Sequence, residues 1–273
     1  MDQKKGIRNS NVEMLSKLAE SGKTIFTFED ALNISNYTPE MLRLTLHNLR
    51  KSKWIDRIER GKYLIIPLEA GPEGLYTEHE FLIASFLIDP YAISYWSALN
   101  FYGFTEQIPR TVYVSTTKKK KKREKEIFGI NYKFIVLKKT KFFGIEKTWI
   151  ENKQINITDK EKTIVDCLDH PEYCGGIIEA TKGLWEGREE LDLEKISNYA
   201  ERMGNATIFK RLGFLSELLE IPERKFYLEK WKKRISEGYT LLDPTMLRKG
   251  KYNSKWKLQI NMKEYELIEW RIH

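Results

Sequence analysis

The pattern of apolar and polar positions opens with three helix-length segments. Over residues 9–21, "NSNVEMLSKLAES", Val12, Leu15, Leu18 and Ala19 recur at helical spacing. Asn9 and Ser10 can cap the start, and Gly22 is a stop signal. "TFEDALNIS" then offers Thr27 as a cap. Asp30 lies three residues on, where a capping box usually carries Glu or Gln, and Ala31, Leu32 and Ile34 supply a short buried stripe. The third segment, "TPEMLRLTLHNLRKSK", starts with Thr38 as cap and Pro39 at the first helical position, where a missing N–H costs nothing. Its Leu42, Leu46 and Leu49 share one face. Arg43, His47 and Arg50 lie around the other, with Thr45 and Lys51 near its edges. The helix is expected to end near Lys53. Trp54, Ile55, Ile58, Tyr63, Leu64 and Ile65 then read as two short strands about "RIERGKY", where Gly61 can supply the positive φ of a tight turn.

Three short helices followed by a hairpin, in that order and spacing, resemble a winged helix-turn-helix. In such modules the third helix enters the major groove and the hairpin touches the flanking backbone. Thr38, Arg43, Thr45, His47, Arg50 and Lys51 are therefore candidate readers or clamps, with Arg57, Arg60 and Lys62 on the wing. Gly71, Pro72 and Gly74 break regular structure after the hairpin, so the boundary is expected at residues 70–76. That gives a DNA-binding domain over 1–70 and a second domain over 76–273.

The second domain reads as mixed. Helices are expected at 77–88 and over "AISYWSALNFYGF", where Ile93, Trp96, Leu99 and Tyr102 form one stripe. "TVYVSTT", "INYKFIVLK", "KTWIE" and "QINITD" read as strands. Further helices are expected at 159–169, 174–186, 192–203, 205–220 and 223–236, with "KWKLQIN" as a closing strand. The fold class is α+β: an N-terminal winged helix-turn-helix followed by a larger mixed α+β domain.

Composition sharpens the picture in one respect. The 273-residue chain carries a net charge of +8, from 47 Lys and Arg against 39 Asp and Glu, which suits a polyanionic partner. Lys118, Lys119, Lys120, Lys121, Lys122 and Arg123 stand in one run between two predicted strands. It reads as a solvated loop, as a second phosphate or partner contact, or as a landing place for an acidic protein surface. If this run and the wing together neutralise about six phosphates, raising salt from about 50 to about 200 mM costs roughly a thousandfold in affinity. "KFYLEKWKKR" interleaves aromatic and cationic residues, as an amphipathic packing helix or as a face toward nucleic acid or a partner.

Other chemistries find less. "FLIASFLI" falls short of the roughly 20 apolar residues of a membrane span, and "MDQKKGIRNSNVEML" has no signal-peptide core, so a cytoplasmic location is expected. Cys167 and Cys174 form no secreted framework and, with His170, too few ligands for zinc; they are expected as reduced thiols. Asp159, Glu161, Asp166, Asp169, His170 and Glu172 invite a metal-dependent nuclease reading, but each has an ordinary helix-end explanation. "CGGIIEATKG" lacks the P-loop ending, "HEFLI" fails His-Glu-x-x-His, and no nucleophile elbow occurs. No cofactor, small-molecule substrate or catalytic residue is expected.

"YAISYWSALNFYGFTEQIPRTVYVSTT", "ITDKEKTIVDCLDHPEYCGGIIEA" and "KGKYNSKWKLQIN", in that order, resemble the AbiEi family of antitoxins and predicted transcriptional regulators of abortive-infection type IV toxin–antitoxin systems. The resemblance implies a winged helix that binds double-stranded operator DNA and represses its own operon. It also implies a C-terminal domain that opposes a nucleotidyltransferase-like toxin and helps repression, and no enzyme activity. The run "KKKKKRE" departs from the family pattern, being longer and more basic than it needs. Some relatives look like stand-alone regulators without a toxin.

Overall fold

The computed structural model of the chain describes residues 8–66, 79–220 and 225–272. The predicted boundary at 70–76 and the predicted helix positions 77, 78, 223 and 224 lie outside the described residues. The chain divides into two compact units, Met1–Leu87 and Ile88–His273.

In the first unit, helix α1 (Asn9–Glu20) buries Met14, Leu15 and Leu18. The expected stripe shifts: Val12 and Ala19 are exposed, because Met14 completes a tighter arc with Leu15 and Leu18. Arg8, not Asn9 or Ser10, occupies the cap position, and its side chain makes no capping bond. Strand β1 (Ile25–Thr27) leads into α2 (Phe28–Ile34). Thr27 Oγ1 accepts from Asp30 N at 3.0 Å, and Asp30 Oδ2 accepts from Thr27 N at 2.8 Å. A complete capping box thus forms with the shorter acid. Helix α3 (Pro39–Lys51) starts where Thr38 accepts from Met41 N at 3.3 Å. Strands β2 (Ile55–Glu59) and β3 (Lys62–Ile65) close on Gly61, whose φ of 77° needs the missing Cβ. The sheet order is β1-β3-β2, with Ile25 opposite Leu64. The three helices pack their apolar arcs on this sheet around Phe26, whose ring lies 5.5 Å from that of Tyr63. Helix α4 (Glu80–Leu87) completes the unit, and Lys62 Nζ donates to its Phe86 carbonyl.

In the second unit, β4 (Ala92–Ile93) precedes α5 (Tyr95–Phe101). Ile93, expected on a helix, is in a strand because it pairs with Val114 and Ile157. Strands β5 (Thr111–Thr116), β6 (Glu124–Ile127), β7 (Ile130–Val136), β8 (Ile145–Ile150) and β9 (Lys153–Thr158) join β4 in a mixed sheet of order β6-β7-β5-β4-β9-β8. The helical half follows: α6 (Lys160–Asp169), α7 (Ile177–Glu186), α8 (Leu193–Met203), α9 (Ala206–Leu218) and α10 (Lys225–Lys232). A second sheet, β10 (Thr240–Leu241), β11 (Lys251–Asn253) and β12 (Leu258–Ile260), has the order β10-β12-β11.

Helix α6 is the axis of this unit, since every residue from Glu161 to Asp169 is buried. That burial extends to a charged pair one turn apart, Lys162 Nζ with Asp166 Oδ1, whose side chains are 1% and 0% exposed. Arg211, on α9, closes the far end. Its Nη1 donates to the carbonyls of Leu168 (2.6 Å) and Asp169 (3.2 Å), while Nε and Nη2 reach those of Leu242 and Leu241 at 2.9 and 3.1 Å. Trp256 seats the second sheet on α9. Its ring lies so close to Gly213 that an added Cβ would stand 2.1 Å from it, and its Nε1 donates to Glu217 Oε2 at 2.8 Å.

Gly213→Ala should therefore cost about 1–3 kcal/mol, since a planar ring locked by packing cannot yield as a flexible chain would. Urea unfolding followed by tryptophan fluorescence checks this; an unchanged midpoint would show that Trp256 can move. Lys162→Ala should cost more, about 3–5 kcal/mol, because Asp166 would be left as an uncompensated buried charge. The same titration measures it.

Candidate nucleic-acid interface

Helix α3 is amphipathic in three sectors rather than two. Leu42, Leu46 and Leu49 point into the core. On one flank Arg43, His47 and Arg50 recur at helical spacing, with Lys51 beside them, and all four are exposed. Arg43 is partly engaged: its Nη1 lies 3.6 Å from Glu40 Oε1, and its guanidinium sits 5.6 Å from the centre of the Phe28 ring. Among the described residues, the side chains of His47, Arg50 and Lys51 have no partner.

The other flank of α3 carries no charge of its own. Met41, Leu44, half-buried Thr45 and Asn48 line a cleft of about 390 Å³ against Arg8, Ser10, Asn11 and Tyr37. Tyr37 fixes that cleft by donating to Asn11 Oδ1 at 2.7 Å. Thr45 is thus separated from the cationic residues with which it was grouped. Leu44, 64% exposed, is a surface residue the sequence reading passed over. Its signal was an apolar side chain two positions from Leu42, off the buried stripe. Thr38 is exposed but its hydroxyl is engaged as the helix cap.

In the hairpin, Arg57 and Arg60 are exposed. Arg57 Nε donates to the Glu59 carbonyl at 3.2 Å, next to a register shift between Arg57 and Glu59 that skews the strand end. Lys62 differs. It is half-buried, lies 3.4 Å from Glu59 and donates to Phe86, so it braces the hairpin against α4.

In the second unit, Lys118, Lys119, Lys121, Lys122 and Arg123 are exposed between β5 and β6. Lys120 is half-buried, with Nζ 3.9 Å from the centre of the Phe134 ring, and the Arg123 carbonyl accepts from Phe134 N. The run is a link into an edge strand.

The acidic residues of 159–172 fall into separate partnerships, Asp159 and Glu161 on Lys195 and Asp169 and Glu172 on His170. Asp159 caps α6 through Lys162 N at 2.7 Å and accepts from Tyr199 Oη at 2.9 Å. Burial and that bond push the Tyr199 phenol up to about 12. Glu161 pairs with Lys195 at 2.8 Å, and Asp169 with Lys141 at 3.2 Å. Burial raises the Asp166 carboxyl against the pull of Lys162. Among the described residues no group of three His, Cys, Asp or Glu is placed to hold a metal ion. Cys167 and Cys174 are buried free thiols.

The β1-β3-β2 sheet, three helices and hairpin define a winged helix-turn-helix unit with one cationic flank on its third helix. Residues 13–66 match the sequence model of a family described as "Transcriptional regulator, AbiEi antitoxin". The match runs from within α1 to just past β3, and the family it names is the one that segments of the second unit resemble. Over 100% of the chain, and 97% of the other, the fold is similar to the crystal structure of RV2827C protein from Mycobacterium tuberculosis, with a TM-score of 0.70 and 13% sequence identity. No curated protein matches the chain. Among the described residues no helix is long and apolar enough to cross a membrane.

His170 offers a pH test of the acidic segment. Its Nδ1 lies 2.8 Å from Glu172 Oε1, and that bond raises the imidazole above its ordinary 6.5 despite burial. The folded chain therefore holds this proton more tightly than the unfolded one. The resulting stabilisation is complete below pH 6.5 and lost as pH rises through the higher folded value. Glu172→Gln should move the His170 titration midpoint down, read by NMR of the imidazole protons. An unmoved midpoint would remove Glu172 as the cause.

Proposed function

We propose that this chain is a DNA-binding transcriptional repressor of its own operon and the antitoxin of a type IV toxin–antitoxin pair. The observation that carries the reading is the flank of α3 on which His47, Arg50 and Lys51 stand exposed and unpartnered. It lies in a winged helix that matches a regulator family. A row of side chains without a counter-charge, on the helix that enters the groove in such modules, suits phosphates and base edges.

In this reading residues 1–70 hold double-stranded operator DNA in a cytoplasmic setting. Arg50 and His47 reach the groove, Arg43, Thr38 and Lys51 approach the backbone, and Arg57 and Arg60 touch the flanking phosphates. Thr45 faces the groove from the uncharged side. Lys62 acts through the hairpin it braces. Residues 76–273 oppose a nucleotidyltransferase-like toxin, with Lys118–Arg123 as a further phosphate or partner contact. Occupancy of the operator blocks polymerase, and no catalytic step is required.

Fluorescence anisotropy tests this with labelled duplex from just upstream of the start codon and a scrambled control. Tight binding to the native duplex alone is expected. Arg50→Ala should weaken it by at least about 1 kcal/mol, and Lys51→Ala should lower the salt slope by about 1 if it holds a phosphate. Equal, steeply salt-dependent binding to both duplexes would reduce the role of the charge to non-specific attraction. Growth rescue on co-expression with the neighbouring toxin gene tests the antitoxin role, and a chain with no such neighbour would stand as a regulator alone.

A further inference from the structure

The C-terminal sheet carries a feature that the repressor reading does not use. A cleft of about 650 Å³ lies along β11 and β12, lined by Lys249, Lys251, Lys263 and Tyr252, with Glu264 as the one acid among its described residues. We propose that this cleft binds a single-stranded segment of nucleic acid, with Tyr252 stacking on an unpaired base and the three lysines holding the adjoining phosphates.

Four observations support it. Tyr252 is 63% exposed, although the phenol body is largely apolar and would ordinarily pack. Its ring has a neighbour in Tyr239, with centroids 4.9 Å apart and planes at 74°. Among the described residues Lys249, Lys251 and Lys263 have no acidic partner within 4 Å; Lys263 Nζ lies 3.4 Å from the Tyr265 hydroxyl and 5.4 Å from the centre of that ring. Their charge is therefore free for a ligand. The backbone that presents them is also over-determined. Gly250 has a φ of 108°, and a Cβ there would stand 1.9 Å from the Ile260 carbonyl, so no other residue lets the chain pass so close to β12. Asn253 then ties the end of β11 to buried Trp256 by accepting from its N at 2.9 Å.

The choice of an unpaired strand over a duplex follows from the ring. An exposed tyrosine ring gains from the face of a base, and a duplex hides those faces within its stack. Phosphate alone would need the lysines but not the ring. An acidic peptide would likewise be served by charge without a planar platform.

The test uses the full chain and a labelled single strand of roughly 12 nucleotides, within the usual range of such sites. The same sequence as duplex, ATP and polyglutamate serve as comparators. Tyr252→Ala should weaken strand binding about 5- to 150-fold, Tyr252→Phe should retain it, and duplex affinity should be unchanged. Lys249→Ala combined with Lys251→Ala should flatten the salt slope by about 0.7 for each phosphate no longer held, and this exposed pair carries the test should Tyr252→Ala lose its near-ultraviolet circular dichroism. The proposal is overturned by unchanged strand affinity in these variants, or by an equal fall in duplex affinity. Displacement of the strand by ATP or polyglutamate at matched charge would also overturn it, in favour of a nucleotide or an acidic protein. Because the winged helix is untouched in every variant, failure here leaves the repressor reading standing.

Discussion

The guanidinium of Arg211 is the constraint on which the second unit depends. Helix α6 ends on buried residues, where the carbonyls of Leu168 and Asp169 have no helical partner. Arg211 supplies donors to both and directs its remaining donors to the carbonyls of Leu241 and Leu242 in and beside β10. One planar fork therefore closes a helix end, offsets the negative pole of its dipole and fixes the start of the second sheet. Removing it would orphan four carbonyls at once, and a lysine, with its point charge, could not span the same four.

Much of the first unit was legible because its determinants are local. Caps at Thr27 and Thr38, Pro39 at the helix start, the leucine stripe of α3 and Gly61 in the turn each act within a few residues of themselves. What was not legible is what depends on distant partners. The three residues of β1 show no periodicity and become a strand only by meeting β3, nearly forty positions on. Polar β6 is a strand because β7 is there to pair with it, and β4 because β5 and β9 flank it. Short strands of this kind carry their instruction in the partner rather than in themselves.

Burial of charge was harder to read. Lys162 and Asp166 are partners one turn apart on α6, but only the packing around that helix buries them, and Arg211 meets its four carbonyls through tertiary structure. On α3 the positions of the cations were readable from spacing, but not which ones the fold would leave free. Lys62 turned inward because α4 offers a carbonyl, and Thr45 fell on the flank away from the α3 cations, where Arg8, the start of α1 and Tyr37 build a cleft. The Tyr252 cleft was invisible in sequence, since it needs the close passage at Gly250 and the register of β11 on β12.

The contact of Lys120 with Phe134 has a consequence for entropy. Six consecutive cations in an untethered loop would sample many arrangements and surrender that freedom on meeting a polyanion. Here the run is moored near its middle, with its amine over an aromatic face of β7 and its far end hydrogen-bonded to the same residue. What remains are two short arms, Lys118–Lys119 and Lys121–Arg123, held at the rim of the sheet. Their mutual repulsion is already borne by the fold. A counter-charged surface arriving there would meet a field assembled in advance, and would surrender less freedom in settling than the sequence of the run suggests.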